Sequence, residues 1–455
     1  LIADARGLTV TALNPEVVDQ LDHSIAGYLG AKRDTRDRLD RVLAADPGCP
    51  LGHCLDGYLH LLTCQGAAVG AARAAAARAG ALGKNRRESL HHEALVAWVD
   101  GDLRAATARW AVLLADHPRD LLAIKVSQFV LSYLGESAGI RDAVARVLPR
   151  WQPDDAGYGF LLGCHAYGLE EAGEYRAAED AGLRAIGLGP EDIWAAHAVA
   201  HVREMEGRRR EGIEWIASLT DRWTDCGNFA HHLRWHEALF ELELERFDRV
   251  LELYDREVRG QPSDQYLDLA NAVSLLWRLE QSGADVGSRW GELAATIEPH
   301  CHDHTLVFVD LHYVMALAAA PAMPALERLL ESCRRKSLTG GTEAGVMAEV
   351  GLPLAAAIVS HRRGRFGEVV DLVAPIRERI HKIGGSHAQR DLFHQLLIDG
   401  AWRAGRLDLA RELVEERTTR RPGNLWGWKH LGLILAAQGA DAGAARREWD
   451  RLQTT

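Results

Sequence analysis

The chain has 455 residues, 47% of them hydrophobic and 26% charged, with 53 Lys and Arg against 64 Asp and Glu and a formal net charge of −11. That apolar content excludes a disordered chain, and the acidic balance argues against a nucleic-acid partner, which calls for a basic stripe. Seven cysteines, at 49, 54, 64, 164, 226, 301 and 333, form no C-x-x-C pair, so reduced thiols and a cytoplasmic setting are expected. No apolar run approaches about 18 residues, so no membrane span or membrane partner is expected. The chain opens on Leu1, compatible with a trimmed start, and no signal peptide is legible.

From the N-terminus onward, a glycine or its stand-in is followed seventeen residues later by proline: Gly30 to Pro47, Gly101 to Pro118, Gly173 to Pro190, Glu245 to Pro262 and Gly405 to Pro422. The first four prolines are 71, 72 and 72 residues apart, with weaker copies of the turn between them at Gly66, Gly135, Gly207 and Gly283. A period near 36 predicts a stack of helix–turn–helix units. The run from Gly66 to Gly83 predicts a small-residue helix that lets neighbours approach closely. Leu103 and Ala106, Tyr175 and Ala178, and Leu407 and Ala410 each follow a turn glycine as an anchoring hydrophobe and a small contact residue. Ala94, Ala166 and Ala238 recur at 72-residue intervals in the preceding helices. The poorly punctuated stretch 304–340 has room for one more hairpin. Farther on, Gly384 and Gly385 break the pattern and Ser386 predicts the N-cap of a helix starting near His387.

These features resemble the tetratricopeptide repeat in degenerate form. They imply an all-α, tetratricopeptide-like α-solenoid, a curled right-handed superhelix of about eleven helical hairpins over 1–455 as a single domain. The segments GYGFLLGCHAYGLEEAGEY, WAAHAVAHVREMEGR, HHLRWHEALFELELERFDRVLELYD and GGSHAQRDLF are more specific. They are similar to the tetratricopeptide repeat protein 38 family, over nearly the whole chain. That resemblance implies a fold and a set of distinctive histidines, and no settled reaction.

In such arrays the first helix of each hairpin lines the concave surface. Carried over by resemblance, this register points Trp194, His197, His201 and Glu204 inward from one hairpin, and His232, Trp235 and Leu239 from the next, with His236 one turn beyond His232. The following hairpin presents Asn271, Ser274, Arg278 and Gln281. Upstream, Phe160, Tyr167 and Glu170 face the groove, as do His53, Asp56 and His60. Helical geometry supports the clustering independently: His197, His201 and Glu204 are at i, i+4 and i+7, and His232 and His236 at i, i+4.

Two chemistries fit this pattern. In the first, His197, His201, His232 and His236 hold a divalent transition metal, which neutral imidazole suits, although no H-E-x-x-H arrangement is present. In the second, the histidines and Glu204 act as general acid and base without a metal. Arg278 or Arg390 would clamp an anion, and Tyr167, Trp194 and Trp235 would form an apolar wall. His165, Glu170, Asn271, His312 and His387 complete the candidate ligand-binding set. Backbone amides at the helix start near His387, with Arg390, could receive an anion, provided the superhelix curls enough to bring residue 387 near residue 201. The bland reading makes each histidine a core residue bonded to a carbonyl. His300, His302 and His304 read as a polar loop rather than a metal tract. No P-loop, dinucleotide fingerprint or G-x-S-x-G elbow is present. The sequence therefore points to a groove that binds and transforms a small polar or anionic molecule by hydrolytic, lyase-like or isomerising chemistry. The competing expectation is a non-catalytic scaffold for a peptide or protein partner, with a homodimer also compatible.

Overall fold

The computed structural model describes residues 1–454. Apart from a short antiparallel pair, Ile2–Ala3 with Thr9–Val10, it is helical from Pro15–Leu29 to Gly443–Thr454. The α-helices pair off as twelve hairpins, against about eleven expected; the stretch 304–340 holds one of them, Val307–Ala319 with Met323–Ser337. Helix starts are set by local side chains. Asn85 with Glu88 and Ser386 with Gln389 form capping boxes, and Asp120 and Asp192 accept hydrogen bonds from the first-turn amides of their helices. Pro47, Pro118, Pro190, Pro262 and Pro422 all fall in the gaps between hairpins.

The tight turn within a hairpin needs one residue in the left-handed region. Gly101, Gly173 and Gly405 supply it, and at the fourth interval Glu245 adopts it (φ 57°) as the glycine's stand-in. In the first two hairpins the left-handed residue is not the glycine marked in the sequence: it is Ala31 rather than Gly30, and Cys64 rather than Gly66. Gly66 serves a different contact, since a Cβ there would lie 2.8 Å from Asp303 Oδ1 on a later part of the chain.

That contact belongs to a regular series. Arg33 N donates to Asp225 O (3.0 Å), Thr342 N to Gly101 O (2.9 Å), His387 N to Glu171 Oε1 (3.0 Å), and Arg209 Nη1 to Gly423 O (2.6 Å). Residues 171 and 387 are 216 apart, as are 207 and 423, which is six repeats of 36. The superhelix is wound so tightly that successive windings touch, and at Gly207 and Gly423 the two backbones meet with no space for a side chain. The inner faces of the first helices therefore enclose an interior. The main hydrophobic cluster takes in residues from Val10 to Cys164 and from Trp235 to Ala445, while Ile193, Ala195, Ala196 and Ala200 belong to a second cluster and Ala198 and Val202 to a third. The segment Thr342–Arg362 forms a continuous helix of 21 residues with mean hydropathy 1.4, long and apolar enough to cross a membrane, where no such span was expected. It is 56% buried inside the fold, as a core helix of the array is.

Candidate metal centre

Four consecutive first helices build the site: Tyr158–Glu171, Ile193–Glu206, Phe229–Glu243 and Tyr266–Gln281. Ile193–Glu206 is alanine-rich, and Ala195, Ala196, Ala198 and Ala200 are fully buried, which lets its neighbours close in on both sides. His197 and His201 leave it toward Phe229–Glu243, from which His232 and His236 point back. All four imidazoles are buried. Ring centroids of His197 and His201 are 4.3 Å apart, those of His201 and His236 4.5 Å, and those of His232 and His236 4.8 Å. Each ring offers a nitrogen, and the four nitrogens lie within 4.8 Å of one another.

An outer layer orients these rings. His236 Nδ1–H donates to Glu204 Oε2 (2.8 Å) and His232 Nδ1–H to Asn271 Oδ1 (3.0 Å). His201 Nδ1 lies 3.2 Å from Glu170 Oε2, an ion-pair contact without hydrogen-bond alignment. Trp235 stacks on His232 (5.2 Å, 14°) and donates its indole N–H to Ser274 Oγ (3.0 Å). With the Nδ1 protons directed outward, the lone pairs of His232 and His236 sit on Nε2. His232 Nε2 faces His197 Nε2 at 3.1 Å, while Nε2 of His201 and of His236 has no hydrogen-bond partner.

Burial pushes His197, His232 and His236 well below the usual imidazole range, and the neighbouring imidazoles add to the shift at each. His201 moves the other way: burial opposes its charge, but the Glu170 carboxylate outweighs it. Glu170 and Glu204 are themselves raised, chiefly by burial. Three neutral imidazoles beside two buried carboxyls form a donor set suited to a soft or borderline divalent ion.

Two cavities flank the cluster. On one side His197 and His232 border a cavity of about 90 Å³ walled by Tyr167, Trp194 and other aromatic rings. On the other, Glu204 and Arg278 border a C-terminal groove of about 330 Å³.

The remaining candidates are placed as follows. The guanidinium of Arg278, pushed down to about 10 by burial, donates to Ala388 O (3.0 Å) and Ser274 O (3.3 Å) and so ties Tyr266–Gln281 to His387–Arg403. The helix start at His387 does receive an anion, but it is the chain's own Glu171. Besides the His387 amide, the carboxylate meets Arg390 Nη2 at 3.4 Å, and His387 Nε2–H donates to Glu171 O (2.9 Å). Burial works against its charge, yet His387 and Arg390 hold Glu171 below the usual carboxyl range. Because Glu171 adjoins Glu170 and His201, residue 387 does reach the outer layer of the cluster. His312 donates Nδ1–H to Phe308 O of its own helix (2.7 Å) and packs on Phe308 and Phe393, away from the other imidazoles. Half-buried His165 has no ring contact with the four and lines neither cavity. His304 lies 3.0 Å from Asp310 and 2.6 Å from Ser332 Oγ, so that loop is bonded to both helices of the following hairpin. Sequence reasoning missed Glu171 and the rings Phe129, Tyr133, Phe229, Tyr266 and Phe308; their only common signal is a position on a first helix.

No family model matches the chain. Among solved structures it is similar to the human IFIT1 dimer with m7Gppp-AAAA (13% identity, TM-score 0.40, covering 97% of this chain and 95% of that one). It is also similar to a monomeric IFIT1 mutant with Gppp-AAAA (13%, 0.38, 96% and 99%) and to yeast Tom70 (12%, 0.37, 92% and 88%).

Proposed function

We propose that this chain is a helical-repeat scaffold whose enclosed interior holds a divalent transition-metal ion on His197, His201, His232 and His236, next to a cavity where a small polar or anionic molecule is bound and transformed. The observation that carries this reading is the pair of buried, partnerless Nε2 atoms on His201 and His236 within a four-imidazole cluster. A core histidine is ordinarily hydrogen-bonded, and leaving a buried polar atom unpaired costs about 1–3 kcal/mol. A shared ion would relieve two such penalties and balance the charges of Glu170 and Glu204. It would supply Lewis-acid polarisation of a ligand oxygen. The chain's own residues have separate tasks. Glu204, Glu170 and Asn271 hold the ring orientations, Trp235 braces His232, and His197 and His232 present the edge that meets the cavity.

The test is metal analysis of tag-free protein purified without chelators, followed by titration with Zn²⁺, Co²⁺ and Ni²⁺. About one equivalent per chain is expected. Protein that carries no metal and binds none in the titration contradicts the reading.

The non-catalytic scaffold has its own observation. The C-terminal groove presents Trp402, Trp426 and Trp449 among cations and carboxylates in equal number, with Arg403 paired to Asp399 and Lys429 to Glu245, a lining that suits an extended peptide anchored by apolar side chains. Labelled peptides with apolar anchors that bind, and release on Trp426→Ala, would favour it.

The similarity of the four histidine-bearing segments supports membership of the tetratricopeptide repeat protein 38 family. The hydrogen bonds between successive windings support a single domain over 1–455, and seven buried, unpaired cysteines support a reducing, cytoplasmic setting.

A further inference from the structure

Lys125 lies in the middle of the first helix Leu121–Tyr133, only 5% exposed, and its side chain reaches the cavity bordered by His197 and His232. Its Nζ sits 3.5 Å from the ring centroid of Trp194 and 5.2 Å from that of Phe129. Among the described residues it has no hydrogen bond and no carboxylate within salt-bridge distance. The acid whose charge it feels, Asp192, turns Oδ1 to the amides of Trp194 and Ala195, and its Oδ2 is buried without a hydrogen-bond partner, beyond salt-bridge distance of Lys125. Among the described residues no Asp, Glu or Arg lines this cavity, so Lys125 is the one fixed charge they supply to it. Burial pushes the ammonium below its ordinary range, as expected for a cation with aromatic neighbours and no counter-ion.

A buried charge without a partner costs several kcal/mol, so this cavity favours an occupant that supplies one negative charge and is otherwise apolar. Most of its wall is rings, among them Phe129, Tyr133, Phe229 and Tyr266; of its polar lining, Gln128 Nε2 donates to Cys164 O (2.7 Å), Ser386 and Gln389 bond each other in their capping box, and Ser132 lies 3.4 Å from Tyr167 OH. At about 90 Å³ it is smaller than the roughly 150 Å³ apolar cavity that accommodates benzene. One lysine and no arginine fork match a monoanion better than a phosphate dianion.

We infer that this cavity is the binding site of a short monocarboxylate, its carboxylate against Lys125 Nζ and its hydrocarbon tail between the aromatic rings. The inference rests on the reading above in taking this cavity as the ligand side of the four-histidine site, and it names the ligand class. Trp194 and Tyr167 belong to both: Tyr167 packs on His197 (5.9 Å) and Trp194 lies beneath Lys125.

Calorimetric titration of the protein as purified with butyrate and with its neutral isostere butyramide decides the matter. Butyrate should bind at least tenfold more tightly than butyramide, benzoate should bind more weakly than butyrate, and Lys125→Met should abolish the preference while the helical circular dichroism stays intact. Equal binding of butyrate and butyramide to the wild type, or no binding of either, overturns the inference without reference to any variant. A preference that persists in Lys125→Met also overturns it. Metal content measured on the same samples separates the two proposals. Metal without butyrate selectivity sinks the carboxylate site alone, and butyrate selectivity without metal sinks the metal centre alone.

Discussion

Two buried histidine networks lie on first helices of this array, and they differ in how completely their polar atoms are satisfied. On Arg86–Val99, His91 Nε2–H donates to Asp120 Oδ2 (3.0 Å) and Arg87 Nε donates to the same oxygen (2.5 Å). Tyr58 OH lies 3.1 Å from His91 Nδ1 and receives the indole N–H of Trp110 (3.2 Å). The other oxygen of Asp120 caps the next helix through Ala123 N (2.9 Å). This Tyr–His–Asp–Arg chain has the composition of a catalytic constellation, but it borders neither cavity described above, and each of its imidazole nitrogens has a partner. The His197, His201, His232 and His236 cluster is equally buried, yet the Nε2 atoms of His201 and His236 have no hydrogen-bond partner, while His197 and His232 form its edge on a cavity. Histidine count and burial do not tell the two networks apart; the unmatched nitrogens do.

Breaking the satisfied network should have the largest effect on folding. Asp120→Ala would leave Arg87 buried without its main counter-charge and should cost about 3–5 kcal/mol, read as a fall in the thermal midpoint. The contribution of this carboxylate depends on pH. Burial works against its charge, but Arg87 and His91 hold Asp120 well below the usual carboxyl range in the folded state. Its stabilisation is therefore present above the unfolded-state pKa of about 4 and is lost as pH falls through the lower folded-state value. The stability gap between wild type and Asp120→Asn should narrow from pH 6 to pH 2, and a gap that widens contradicts the assignment.

In the other cluster the effect should fall on the ion rather than the fold. His236→Ala should lower metal affinity by more than about 100-fold while the helical signal persists, since it removes an imidazole whose Nε2 has no other partner. Loss of folding with unchanged metal content would mark a core histidine instead. A smaller change is expected one layer out: Glu204→Gln should weaken metal binding by about 10–100-fold, because the amide is a poorer acceptor for His236 Nδ1–H.

The repeat was legible because it is local. A turn residue and a proline seventeen positions later leave their mark within one hairpin, and even Glu245 was readable as a glycine substitute by its spacing. Gly30 and Gly66 misled because a glycine can also serve close approach, as Gly66 does beside Asp303, and only the fold tells the two uses apart. The histidine stripes were legible for the same local reason, i and i+4 on two neighbouring helices. What lay beyond reach was set by contacts far apart in the chain. Arg278, Arg390 and His387 read as free anion-binding groups, but Ala388 O, 110 residues on, reaches the first, and the carboxylate of Glu171, 216 and 219 residues away, reaches the other two. Of the aromatic cavity, Tyr167 and Trp194 were legible as an apolar wall and Trp235 was not part of it; Phe129, Tyr133, Phe229, Tyr266 and Phe308 were missed because they come from several helices with no shared spacing.

X-ray absorption on the metal-loaded protein tests the central claim most directly, because it counts the ligands and identifies their type. The account predicts a first shell of nitrogen with the outer-shell scattering of about four imidazoles, at roughly 2.0–2.1 Å if the ion is zinc. A shell dominated by sulfur, or by oxygen with no imidazole scattering, would contradict it.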